Sequence, residues 1–174
     1  ESTVDRTVQA LGAWWLALAV SAAVPAPIHW IMTAAWTRSG WLAGRTITPL
    51  TRWLLGRVAR VYGFSRMPPM PPDPADTVAR AVAVRRILAH VQGVPSPVIG
   101  LAPEGRDMPG RVLGQAPPGS GRFMLHLARS GMAFVPLGAF ESGAGLHLRF
   151  GPPYRLQVPP HLGAGERDRV ARQQ

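Results

Sequence analysis

Glu104, Gly105 and Arg106 stand together directly after an apolar run, in the stretch SPVIGLAPEGRD. Arg106 carries a planar fork that grips a phosphate through two hydrogen bonds. Gly105 lets a ligand come close to the backbone. Glu104 can accept hydrogen bonds from a hydroxylated substrate or hold a basic neighbour in place. The alternative is a plain strand-end turn whose Glu and Arg form a surface ion pair, worth about 0–1 kcal/mol. Spacing alone does not choose between the two. Arg66, in YGFSRMPP, is a second basic candidate. By itself it reads as an ordinary loop Arg after a helix-terminating Gly63. His29, beside Trp30 on an apolar run, and His126, in a helical stretch, read as satisfied core histidines rather than catalytic ones.

Other chemistries are poorly served. All 19 basic residues are Arg, so no Walker-type loop with its Lys is present. There is no Cys, hence no disulfide, thiolate metal site or Cys nucleophile. No metal-ligand spacing appears and no Gly-x-Ser-x-Gly elbow, although GSG occurs at 119–121. The net charge of +10 suits a phosphate-bearing partner or an anionic membrane, or reflects a bare preference for Arg over Lys. A nucleic-acid partner is not expected, because no basic stripe interleaved with aromatics and no reading motif is found.

The elements that would position these residues alternate between helix and short strand. Residues 3–23 read as a helix stopped by Pro25 and Pro27, and PIHWIMTAAW as a buried strand. TPLTRWLLGRVARVYG has a capping Thr48, Pro49 in its first turn and Gly63 as its stop. SRMPPMPPDP reads as a loop. Asp73 and Pro74 then open a helix with Val78, Val82, Val84, Leu88 and Val91 as its apolar side. SPVIGLAPEG is a strand running into a loop, and PGSGRFMLHLARSG is a loop running into a helix that stops at Gly131. MAFVPLGAFE and LHLRFGPPYRL are two strands with SGAG as turn material between them, able to pair as a hairpin. The order predicts an α/β fold with a mixed, largely parallel sheet flanked by helices over residues 1–157. A charged tail, 158–174, follows as a loose or incomplete helix. At 174 residues one domain is the simplest count. In such sheets ligands sit beyond the carboxyl ends of strands, where APEGRD falls.

Pro103–Glu104–Gly105 after a strand, the Gly119–Gly121 turn before a helix, and Val135–Pro136–Leu137 on a later strand follow one another in an order with a precedent. This succession resembles the glycerolipid acyltransferase family, of the bacterial lysophosphatidate acyltransferase type. LRFGPPYRL looks like the family's later strand and turn, so the likeness covers most of residues 1–157. Ala102 stands where the family has an aromatic residue, and Arg106 follows Gly105 with no Thr between.

The resemblance implies a His, four residues, then an Asp as catalytic signature. Counting five on from His29, His90, His126 and His147 reaches Ala34, Pro95, Gly131 and Pro152. His161 reaches Glu166, but after the last strand. Asp5, however, is preceded by ESTV, so a His directly before Glu1 would complete the signature, and the helix that should follow it does follow. The chain is therefore expected to begin one residue after its catalytic His, and to be inactive by itself. By resemblance, Asp5 orients that His, which takes a proton from an acceptor hydroxyl. Glu104, Gly105 and Arg106, with Arg66, position a lysophospholipid or glycerol phosphate headgroup. The acyl donor is acyl-CoA or acyl carrier protein, and neither a metal nor another cofactor is required.

The apolar run Val8–Val24 falls short of the roughly 20 residues that span a bilayer. SAAVPAP resembles a cleavage site, but Glu1 and Asp5 make a poor signal flank, so a buried or interfacial helix is the better reading. All six Trp lie in the first third and suggest an interfacial belt, with core packing an equal explanation for some. The expected location is the cytoplasmic face of a membrane, peripheral or anchored by an upstream segment. The competing function is a non-catalytic, basic module that binds a membrane surface or anionic lipid.

Overall fold

A computed structural model describes residues 16–33, 53–54, 56–57, 64–68, 73–103, 114–142 and 145–174. The chain divides into two compact units, Ala26–Met108 and the combination of Glu1–Pro25 with Pro109–Gln174. The result is mixed α/β, with a parallel sheet as expected.

The unit Ala26–Met108 holds that sheet. Strand β1 (Ile28–Thr33) lies between β2 (Ser65–Met67) and β3 (Val98–Gly100), in the order β2-β1-β3. Both pairings are parallel: Ile31 to Thr33 lie beside Ser65 to Met67, and Ile28 to Trp30 beside Val98 to Gly100. Parallel neighbours need a crossover. The one between β2 and β3 contains a short 3-10 turn, Pro74–Asp76, and helix α1 (Thr77–Gly93). The start of that helix was legible. The Asp73 carboxylate accepts the Ala75 N–H at 2.8 Å, and Pro74 occupies the first position.

Three local expectations fail in this unit. Ser65–Met67 is a strand, not loop, because β1 offers it a parallel partner that the proline-rich surroundings conceal. On α1 the buried residues are Ala83, Ile87 and Val91, whereas Val78 is 75 % exposed and Val82 is also exposed. Residues 83, 87 and 91 repeat every four positions along one stripe. Valine content is no guide to which stripe meets the sheet. Ile87, fully buried, contributes about 1.5–3 kcal/mol. The strand β1 is half-buried rather than buried over residues 28–32.

In the other unit, residues 16–23 are helical and end before Pro25, as expected. Helix α2 (Ser120–Arg129) stops at Gly131, whose φ of +86° suits glycine. The Gly131 N–H donates to Ala128 O at 3.0 Å and the Met132 N–H to Leu127 O at 3.2 Å, closing the helix end. Strands β4 (Leu137–Ser142) and β5 (Gly145–Phe150) form the antiparallel hairpin, in register from Leu137–Phe150 to Ser142–Gly145. Phe134 and Tyr154 extend it by one bridge.

The tail is neither loose nor incomplete. Ala164–Gln173 forms helix α3, which packs on α2 and buries Asp168 and Ala171. Gly121 is the reason the two helices fit: a Cβ there would strike the Asp168 carbonyl oxygen and the side chains of Ala171 and Arg172. Asp168 is 5 % exposed and serves α2 as a remote cap. Its carboxylate accepts the Gly119 N–H at 3.0 Å and the Arg122 N–H at 2.8 Å, two of the donors a helix start leaves unpaired. Arg172 Nε donates to it at 3.1 Å. Burial alone would raise the pKa of Asp168, but these backbone donors and the Arg172 guanidinium outweigh it and hold the pKa below its ordinary 3.8.

Candidate functional site

Alternation along β1 sorts the sheet residues onto two faces. Trp30 and Met32 share one face with Gly100 and Arg66, their neighbours in register. His29 and Ile31 share the other with Ile99 and Ser65.

On the first face the Trp30 ring lies over Gly100, so close that any Cβ there would collide with it. The close ring leaves room only for glycine at this last residue of β3, and the chain turns at Pro103 three residues later. Arg66 is exposed on the same face. Its guanidinium passes Gly56, where a Cβ would come within 2.9 Å of Nη1. Residues 56–57 are helical, so this face is flanked by helix too. Nearby on that helical stretch, the Arg57 guanidinium lies 5.0 Å from the centre of the Trp53 ring, in cation–π contact.

On the second face His29 Nε2 lies 2.9 Å from Ser65 Oγ, and the His29 ring stacks on that of His90 from α1 at 4.0 Å between centroids. Burial, and after it the neighbouring His90, lower the His29 pKa from its ordinary 6.5. The half-buried His29 is therefore hydrogen-bonded, as expected of a satisfied core histidine. His126 lies in the last turn of α2, half-buried. Neither Ser65 nor His90 was singled out from the sequence. Nothing local marks them, since the partners stand 36 residues apart for the Ser65–His29 contact.

Of Asp5, Arg66, Glu104, Gly105 and Arg106, only Arg66 falls within the described residues. Asp5, Glu104, Gly105 and Arg106 lie outside them. Arg66 stands on the edge strand β2, and Pro103, just before Glu104, follows the opposite edge strand β3. Two strand spacings of about 4.8 Å separate those edges, so roughly 10 Å. The strands are parallel, so both segments leave the sheet at its carboxyl edge. What Arg66 offers there is an exposed, always-charged fork suited to phosphate.

The glycines of the Gly119–Gly121 turn have structural work. Gly119 adopts φ +94° and presents its N–H to Asp168, and Gly121 admits α3. Among the described residues, no group of three or more His, Asp or Glu gathers as a metal site would need. Also among them, no helix is long and apolar enough to cross a membrane. An open concavity of about 530 Å³, lined by Leu156, Gln157, Val158 and Pro159, presents no ionisable side chain. No protein-family model, curated protein or solved structure matches the chain.

Proposed function

We propose that this chain belongs to a glycerolipid acyltransferase acting at the cytoplasmic face of a membrane. It would move a fatty acyl group from acyl-CoA or acyl carrier protein to a hydroxyl of lysophosphatidate or glycerol phosphate. A His separated from Asp5 by four residues would take the hydroxyl proton. The oxygen would attack the thioester carbonyl, the C–S bond would break, and the proton would leave on the thiol. Asp5 would hold the His tautomer, and Glu104, Gly105, Arg106 and Arg66 would seat the headgroup. The reading rests on the family likeness of the Pro-Glu-Gly block, Val135–Pro136–Leu137 and Asp5. One structural observation supports it. In a three-stranded parallel sheet, the segment leading into Glu104 and the strand bearing exposed Arg66 open onto the same carboxyl edge.

Placing Asn-His directly before Glu1 builds the full His-x4-Asp signature with Asp5. The extended protein should transfer radiolabelled acyl groups from acyl-CoA to lysophosphatidate, while the chain starting at Glu1 should not. An inert extended protein, or one unaffected by Asp5→Ala, would refute the assignment.

A second reading, a non-catalytic module for anionic lipid surfaces, draws on a different observation. Trp53 and Leu54 are 58 % and 50 % exposed, with Arg57 stacked beside the indole. That mixture of aromatic, aliphatic and cationic groups suits the headgroup boundary of a bilayer.

A further inference from the structure

We propose that the stacked His29–His90 pair is a proton-sensitive latch, which holds helix α1 on the parallel sheet near neutral pH and releases it as the imidazoles charge. The pair joins the central strand to the last turn of α1, with ring centroids 4.0 Å apart and planes at 26°. The Ser65 hydroxyl, 2.9 Å from His29 Nε2, adds β2 to the same cluster. Neutral imidazoles stack favourably at this separation. Two imidazolium rings there repel, and their half-buried position weakens the screening that water would supply. The Ser65 contact can persist in either state, because a hydroxyl donates to a neutral imidazole or accepts from a charged one.

Among the described residues of these elements, no acid offsets the repulsion. Strands β1 and β3 contain no other titratable residue, and on β2 Arg66 belongs to the opposite face. Helix α1 adds Arg80, Arg85 and Arg86 and no acid between Thr77 and Gly93. The lowered pKa of His29 agrees with this arrangement, as burial and His90 both disfavour its charged form. The sign follows. A His depressed in the folded state contributes stability that is complete above its ordinary 6.5 and is lost as the pH falls through the folded value. The latch concerns packing alone, and its test is independent of any acyl transfer.

The test is an NMR titration of the imidazole signals from pH 8 to 5 on the 174-residue chain, with hydrogen exchange of the α1 amides measured in parallel. The expected result is a His29 midpoint below 6.5, together with α1 opening that rises as pH falls. The rise is up to about tenfold per pH unit for each imidazole that charges only when the helix opens. His90→Phe keeps a stacked ring that cannot charge, so α1 should open less steeply with acid in that variant. A His29 midpoint at or above 6.5 in the unmodified protein would overturn the proposal. So would α1 opening in His90→Phe with the same pH dependence as the parent.

Discussion

Arg66 and Asp168 show how a charged side chain is worth different amounts in different surroundings. Arg66 is exposed and solvated, so its removal should leave stability almost unchanged. If it seats a phosphate headgroup, Arg66→Ala in the Asn-His-extended protein should raise KM for lysophosphatidate about tenfold or more. That corresponds to one lost charge-assisted contact of roughly 1.5–3 kcal/mol, with kcat less affected. Steady-state kinetics with varied acceptor check this. Asp168 is buried and saturated with donors, so Asp168→Ala should cost roughly 2–4 kcal/mol, combining a lost cap with lost charge-assisted bonds. Urea unfolding of the two proteins measures it. Because the Asp168 pKa is depressed, its contribution is complete above about 3.8 and disappears as the pH falls through the lower, folded value. Acid unfolding monitored below pH 4 should therefore be blunted in Asp168→Asn.

At the scale of elements, glycine spacing decides how closely two helices approach. Gly121 faces the backbone of α3, and a methyl group there has no side-chain tip to push aside. Gly121→Ala should separate α2 from α3 and lower stability by about 1–3 kcal/mol, the usual cost of overpacking. Gly165, by contrast, has nothing near its Cβ direction, so Gly165→Ala on α3 should be neutral or slightly stabilising. Thermal unfolding of the pair separates a packing effect from one of helix propensity. Much at this scale was legible in the sequence. The Asp73–Pro74 start and the Gly131 stop both act through groups a few residues apart. The apolar stripe of α1 was not. Of Val78, Val82, Val84, Leu88 and Val91, only Val91 is buried.

Across the whole molecule, a net charge of +10 with no Lys makes association with anionic surfaces the default expectation. Vesicles containing anionic lipid should bind the protein, and added salt should release it. Binding that survives Glu104→Ala and Arg106→Ala together, with no acyl transfer by the extended protein, would favour the lipid-binding module. Composition and short-range signals by themselves determined that charge, the alternation of helix and strand, and where several elements start and stop. Those properties are additive along the chain or depend on near neighbours. Only tertiary structure decided that Ser65–Met67 is a strand, that His29 meets His90, and that a tail carboxylate caps α2. Each depends on a partner from a distant segment, 46 residues away for Asp168 and the Arg122 N–H. Burial and hydrogen bonding at that range arise from three-dimensional packing, and no local pattern encodes which residues will meet.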